Sequence, residues 1–396
     1  MEIYFQRSLM KIDMTKIVLI GPVYPYRGGI AHFTANLAQT IQENGYNLTV
    51  ISFSRQYPKW LYPGKDDKDL SSGRSAENVE YIFSPLNPID WLRTIRRIKE
   101  LNPDLVILQW WTTFWSFATH ALLSSLKKAS IPTKVIIHNA FPHEGKKVDK
   151  LLAKYALNKA TRFVVMNTQE EKKIGALIKG AVLQFVPLPI YRPFDAEVMS
   201  KSDARKKLGL DESKNIGLFF GFVRPYKGLG VLLDAIKILK DEGKIDAYCF
   251  VIAGEFWHDK KQYMDTIKAH GIEDYIIVRD EYIPDDQAGV YFQAADFFIA
   301  PYTAGTQSGA LKMAMAYGLP CISSSAIAQK ENKIFEGLFL FETENGAKLA
   351  QSISDLLFLR SFKPQYGNLN SSESQDDFMR EILTTDNCKQ ETTYGK

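Results

Sequence analysis

Cysteine is scarce in this 396-residue chain: Cys249, Cys321 and Cys388 stand far apart, with neither a CxxC pair nor Cys/His spacing. That excludes a disulfide framework and gives no sign of a structural zinc site; incidental or buried thiols in a reducing compartment account for the three. Long apolar runs are also lacking, none approaching the roughly 20 residues that span a bilayer, which excludes an integral membrane protein. The opening MEIYFQRSLMKID has no basic start, long apolar stretch or small-residue cleavage site, so export is not expected and a cytoplasmic location is. Several chemistry-bearing motifs are missing as well. There is no G-x-G-x-x-G, no G-x-S-x-G nucleophile elbow, no G-x-x-x-x-G-K-[ST] loop and no HExxH. No internal repeat of the solenoid kind occurs.

What is present is the composition of an ordinary globular protein, 45% apolar and 24% charged. The length exceeds what one core usually supports, so two domains are expected. The net charge of +4 hides a split: residues 14–190 hold 23 Lys/Arg against 13 Asp/Glu, whereas 191–396 hold 24 against 30. A basic half can serve nucleic acid, but no helix-turn-helix, RNP-like or finger pattern accompanies it, and no nucleic acid partner is expected. An anionic membrane surface or a phosphate-bearing acceptor fits it equally.

From residue 14 onward, β-branched apolar runs alternate with helix-period segments, the pattern of parallel strands joined by crossover helices. KIVLIG, LTVISF, DLVILQW, KVIIHNA and RFVVMN form one series. NIGLFFGF, YCFVIAG, IIVRDEY, FFIAPY and PCISSS form a second, and three prolines in VPLPIYRPF interrupt the periodicity between the two. The expectation is an α/β protein of two doubly wound domains, 14–190 and 191–362. Residues 363–396 follow as a polar tail whose composition permits disorder, with FMREIL as its one helical island.

In open parallel sheets, ligands bind beyond the carboxyl ends of the strands. GPVYPYRGGIAHF puts Gly28 and Gly29 at the first such junction, ahead of a helix whose free N–H groups suit a phosphate or developing anion; a pair of turn glycines is the plainer reading. GFVRPYKGL opens the second series with Arg224 and Lys227 three apart, where two cations can converge on one diphosphate, or stand solvated on the surface. TAGTQSGAL offers Thr306, Gln307, Ser308 and Gly309 in a small polar loop that can wrap oxygens, with Thr306 or Ser308 also able to cap the helix that follows. VIIHNAFPHE places His138 at a strand's carboxyl end and His143 soon after. Aromatics gather at RQYPKWLYPG and QWWTTFW. Part of this is core, and Tyr57, Lys59 and Trp60 are equally able to stack against an acceptor sugar or lipid. WLRTIRRIK carries Arg93, Arg96, Arg97 and Lys99 at helical spacing, either a solvated basic face or a patch for an anionic leaflet.

In combination, GGIAHF, SRQYPKWLYPG, HNAFPHE, VPLPIY, GFVRPYKG and TQSGALKMAMAYGLP resemble the large bacterial family four of retaining glycosyltransferases (glycosyl transferases group 1), whose twin Rossmann-like fold is called GT-B. The resemblance covers roughly residues 16–336. It implies two Rossmann-like domains facing across a cleft, an N-terminal acceptor-side domain and a C-terminal donor domain. It also implies sugar transfer from a nucleotide-diphosphate sugar to a glycan or lipid-linked acceptor, with retained anomeric configuration and neither metal nor cofactor. Carried over by position, Gly28 and Gly29 match the glycine loop near the donor diphosphate, His138 the histidine that supports catalysis, and Lys227 the diphosphate-binding lysine.

Two departures stand out. The family's usual arginine position is Phe222 here, with Arg224 as the expected substitute. The commonest members also carry two glutamates eight positions apart before G-x-P, and counting back from Gly318 puts those positions at Met313 and Gly305. The chain thus resembles a TQSG variant in which Thr306, Gln307 and Ser308 supply donor contacts. The expected acceptor side comprises Tyr57, Lys59, Trp60 and His143, with peripheral contact to an anionic membrane. Without the acidic pair, a non-catalytic sugar-nucleotide-binding subunit is the alternative. A sugar-nucleotide epimerase of similar architecture needs acidic catalytic residues that have no place in the chain.

Overall fold

Strands come first from the sequence's apolar runs and helices from its amphipathic ones, and they alternate throughout. The computed structural model describes residues 15–58, 66–69, 78–141, 147–190, 198–257, 259–305, 307–327, 337–358 and 371–384. The first half contains β1 (Lys16–Ile20), α1 (Gly29–Glu43), β2 (Asn47–Phe53), β3 (Val79–Phe83), α2 (Pro88–Leu101) and β4 (Leu105–Trp110). It continues through α3 (Ser116–Lys128), β5 (Thr133–Ile137), α4 (Lys147–Leu157), β6 (Arg162–Val165), α5 (Thr168–Leu177) and β7 (Val182–Phe185). Its strands form one parallel sheet in the order β3-β2-β1-β4-β5-β6-β7. Helices cover both faces, which is why β4 is buried at every residue and reads as an apolar run broken only by Gln109.

The second half repeats the plan with α6 (Lys201–Leu208), β8 (Asn215–Phe220), α7 (Leu229–Asp241), β9 (Tyr248–Ala253), α8 (Lys260–His270) and β10 (Ile276–Arg279). Then come α9 (Asp285–Ala294), β11 (Phe297–Ala300), α10 (Gly309–Ala316), β12 (Cys321–Ser324), β13 (Leu338–Phe341) and α11 (Gly346–Phe358). This sheet is also parallel, ordered β10-β9-β8-β11-β12-β13. Strand order reverses beside β1 in one sheet and beside β8 in the other, and the crevices at these switch points lie outside the strands' carboxyl ends. The two Rossmann-like halves make the GT-B architecture.

The polar tail contains more structure than its composition announced. FMREIL lies within α12 (Ser371–Leu383), whose Phe378, Met379 and Ile382 are buried. They pack not on the preceding half but on the first one. Phe378 meets Phe33 of α1 edge to face, and Asn44 donates to Asp376 at 2.9 Å. The buried Lys134 ammonium of β5 donates to the carbonyls of Ile382 and Thr384 at 2.6 and 2.8 Å. Cations belong at helix C-termini, where carbonyls lack partners, and Lys134 closes this one. The chain therefore crosses from the first half to the second and returns.

Cys249 and Cys321 are buried free thiols, and burial pushes both above the usual thiol range. Cys388 lies outside the described residues. Among those residues no helix is long and apolar enough to cross a membrane.

Candidate active site

The two halves meet around a cavity of about 270 Å³ lined by Gly28, Gly29 and His32 on one side and by the β8, β9 and β11 loops on the other. On the first side Gly28 is the N-cap of α1 at φ 103°, ψ 167°, a conformation closed to residues with a Cβ. No side chain caps this helix and no acid stands in its first turn, so its leading N–H groups and positive end face the cavity open. Arg27 lies over the Tyr282 ring at 4.1 Å, and His32 pairs with Asp285 at 3.1 Å, which ties the halves together at the mouth.

On the second side the β8 loop turns through Gly221 (φ 99°) and Gly228 (φ 72°). A Cβ on Gly228 would lie 1.8 Å from the Pro301 carbonyl oxygen, so only glycine lets the β8 and β11 loops run this close. Thr303 N donates to the Tyr226 carbonyl at 2.8 Å and locks them together. Between them Lys227 is buried, at 9% exposure, and has no carboxylate in ion-pair distance among the described residues. Burial, with the neighbouring Arg224 adding to it, holds its ammonium below the usual lysine range. Arg224 lines the same cavity and lies over the rings of Tyr226 and Trp257. Phe222, Trp257 and Tyr282 form an aromatic group, with ring centroids 4.4 Å apart for the first pair and 6.1 Å for Phe222 and Tyr282.

The TQSG loop supplies Gln307, Ser308 and Gly309 to the lining. Ser308 is the N-cap of α10. Its hydroxyl accepts from Leu311 N at 3.1 Å and stands 2.9 Å from the Tyr302 hydroxyl. Gln307 Oε1 is buried with no hydrogen-bond partner among the described residues, an acceptor that a ligand hydroxyl can satisfy. Met313 also lines the cavity, presenting a thioether where the commoner family pattern has a carboxylate.

His138 departs from expectation in where it points. Its ring is not among the cavity-lining groups but is buried behind α1, at 5% exposure. Its Nε2 is 2.6 Å from Gln109 Oε1 and its ring meets Phe33 edge to face at 4.9 Å. The cause is local: its backbone N donates to Trp110 O, which continues the β4–β5 ladder and turns the side chain into the domain. Burial lowers its pKa to about 3, so the ring is neutral. Tyr57 likewise sits outside the cavity lining, where its hydroxyl accepts from Trp111 Nε1 at 3.2 Å and its ring packs on Phe114 and Trp115. Thr306, Lys59, Trp60 and His143 lie outside the described residues.

Sequence reasoning missed Glu255, His32, Asp285 and the aromatic group. Glu255 could have been found: GEFW follows VIAG at a strand's carboxyl end, the same junction logic that selected Lys227. Among the described residues no group of three or more His, Cys, Asp or Glu side chains could hold a metal ion.

Comparison with known proteins agrees with this construction. Residues 27–177 match the family described as Glycosyltransferase Family 4, and residues 214–358 match Glycosyl transferases group 1. TuaC of Bacillus subtilis (strain 168), a candidate teichuronic acid biosynthesis glycosyltransferase, is 26% identical over 382 residues, covering 88% of this chain and 91% of that protein. Among solved structures, sucrose-phosphate synthase from Thermosynechococcus elongatus superposes with a TM-score of 0.67 at 15% identity, over 92% of this chain and 95% of its own. Anabaena HepE in complex with UDP and glucose does so with a TM-score of 0.65 at 14% identity, over 93% and 95%. The chain belongs to glycosyltransferase family four, and it is a glycosyltransferase of GT-B fold.

Proposed function

We propose that this protein is a retaining, metal-independent glycosyltransferase that moves a sugar from a nucleotide-diphosphate sugar to a glycan or lipid-linked acceptor in polysaccharide or glycolipid biosynthesis. The observation that carries this reading is Lys227: a buried ammonium with no acidic partner among the described residues, facing a cavity shared with Arg224 and the open N-terminus of α1. Lys227 has the Tyr302 ring face at 5.6 Å, and a buried cation without a carboxylate partner is costly and marks a place for an anion. HepE, of the same fold, is solved with UDP and with UDP-glucose, which supports a nucleotide sugar as that anion.

In this reading Lys227, Arg224 and the leading amides of α1 stabilise the departing diphosphate, a role that preorganised cations and dipoles fill in a water-poor cleft. Gln307 and the backbone at Ser308 and Gly309 hold the sugar, and Gly28 and Gly29 let α1 approach the phosphates. The acceptor hydroxyl attacks from the leaving-group side, and its proton passes to a phosphate oxygen. His138, neutral and set behind α1, is a positioning residue: through Gln109 and Phe33 it fixes the floor on which α1 stands. Residues 14–190 serve the acceptor and 191–362 the donor.

We infer further that the acceptor-side half meets an anionic membrane. Of the large apolar side chains exposed among the described residues, nearly all belong to this half, and Phe114, Phe117, Val148, Leu151 and Tyr155 cluster on α3, α4 and the turn before α3. Exposed Lys147, Lys150 and Lys154 flank them. The test of the whole reading is a panel of UDP-, GDP- and ADP-sugars incubated with the protein in EDTA, with the product anomer followed by NMR. Hydrolysis or transfer with retained configuration is expected. An inverted product refutes retention, and activity lost to EDTA and restored by magnesium refutes metal independence.

A further inference from the structure

A nucleotide sugar carries a ribose between its base and its diphosphate, and the two ribose hydroxyls are donors in search of acceptors. Few side chains in the cavity can accept from them: Gln307 Oε1 is one, and the reading above gives it to the sugar. Lys227 and Arg224 only donate, Met313 offers sulfur, and the Ser308 hydroxyl is engaged with Leu311 N and Tyr302. Two carboxylates line the cavity, Glu255 and Asp285, and Asp285 is held at the mouth by His32.

Glu255 stands immediately beyond the carboxyl end of β9 at 4% exposure. The backbone around it is fixed on both sides. Its carbonyl accepts from Val223 N at 2.9 Å, Trp257 N donates to Val223 O at 3.2 Å, and Phe256 N donates to Asp280 Oδ1 at 2.9 Å. Gly254 (φ 151°) makes this approach possible, since a Cβ there would lie 2.2 Å from the Gly221 carbonyl oxygen. Pairing with Val223 places Glu255 beside Phe222 and on the loop that ends in Trp257. Glu255 lines the same cavity as Phe222, Trp257 and Tyr282 and as Lys227 and Arg224, so its carboxylate shares that space with the aromatic group and with the two cations.

We propose that Glu255 binds the ribose of the nucleotide, its carboxylate accepting hydrogen bonds from the 2′- and 3′-hydroxyls. This rests on the nucleotide-sugar reading above. A carboxylate beside a diphosphate site repels the ligand unless it gains hydroxyl donors in return, so its presence there selects ribonucleotides.

The test is calorimetric titration of the full-length protein with UDP, ADP and GDP, their 2′,3′-dideoxy counterparts, and inorganic pyrophosphate. Wild type is expected to prefer the best ribonucleotide over its dideoxy form by about tenfold, the scale of a hydrogen bond to a charged group. Glu255→Ala should remove that preference without weakening the binding of pyrophosphate, which offers the carboxylate no hydroxyl donors and gains from losing a like charge. Glu255→Gln keeps the shape and one acceptor, so it should weaken the preference and carries the test if the alanine variant does not fold. A wild-type preference under twofold, or equal losses for ribo- and dideoxy forms in the variants, overturns the proposal. A loss confined to GDP and dideoxy-GDP alike puts the carboxylate on the guanine edge and also overturns it. Wild type that binds no nucleotide at all is the separate failure of the nucleotide-sugar reading, and the ribose assignment falls with it.

Discussion

The Lys227 ammonium occupies the space that a side chain at Gly221 would need: a Cβ there would lie 2.7 Å from Lys227 Nζ. Gly221 also sits at φ 99°, which other residues rarely adopt. Glycine is thus required twice, once by backbone and once by the cation beside it. Gly221→Ala should weaken nucleoside-diphosphate binding by moving the flexible end of Lys227, without touching the ligand itself. Lys227→Ala should cost about 1.5 to 3 kcal/mol of that affinity, and the double variant little more than Lys227→Ala alone, because both act through one ammonium. Additive losses in calorimetry would show that Gly221 matters through the backbone only.

His138 gives a pH dependence whose sign follows from its burial. Its folded pKa, about 3, lies below the usual value near 6.5, so the unfolded chain takes up this proton first. Its contribution to stability is complete above pH 6.5 and is lost as pH falls toward 3, at up to about 1.4 kcal/mol per pH unit for one proton. His138→Gln, which cannot titrate, should lower stability at pH 7 yet flatten the dependence between pH 6.5 and 4, as read by urea unfolding at several pH values. An unchanged slope would place the titrating groups elsewhere. Turnover in this variant should fall as far as α1 is displaced, since His138 reaches that helix through Phe33 and is held by Gln109.

Lys134 ties the C-terminal helix to the first sheet. Lys134→Met keeps the apolar stem but removes the donor to Ile382 O, Thr384 O and Gln184 Oε1. The helix end then loses its cation, and Phe378 its fixed seat on Phe33. A destabilisation of about 1 to 3 kcal/mol is expected, with proteases cutting first within 371–384. Protection of that segment equal to wild type would mean that the apolar contacts hold α12 without the lysine.

The parallel architecture was legible because fully buried strands such as LVILQW and YCFVIA are apolar almost throughout, with Gln109 the one polar residue of the two. Lys227 was legible as a cation at a strand's carboxyl end ahead of a glycine. The direction of His138 was not. Strand periodicity places a residue at the end of β5, but which face its ring takes depends on the Trp110 backbone bond and on Gln109, a partner from another strand. The docking of α12 was hidden by a polar segment whose three buried apolar residues find their surface far back in the chain, on α1 and β5.

The basic helix of the first half shows the same limit and leads to a prediction about membranes. WLRTIRRIK left open a solvated basic face or a patch for an anionic leaflet, and the structure gives each arginine a carboxylate. Arg97 holds Glu80 through two nitrogens at 2.6 to 3.0 Å, Arg96 meets Glu100 at 2.9 Å, and Arg93 meets Asp90 at 3.4 Å. Exposed pairs add little to stability, but they cancel much of the helix's field at a distance beyond the screening length, roughly 10 Å at 0.1 M salt. On α4, Lys147, Lys150 and Lys154 are exposed beside Leu151, at 67% exposure, and α3 adds Phe117, at 60%. Apolar insertion and lysine attraction reinforce one another at such a surface, each lysine contributing about 1 kcal/mol near an anionic leaflet. Phe117→Ser with Leu151→Ser should therefore reduce binding to vesicles of phosphatidylglycerol and phosphatidylcholine more than replacing Arg93, Arg96 and Arg97 with Gln. Nucleoside-diphosphate affinity should stay level in both. Wild-type binding should also fade at high ionic strength and be weak on neutral vesicles. Equal partitioning onto neutral and anionic vesicles, or none onto either, would leave a soluble acceptor as the partner of this half.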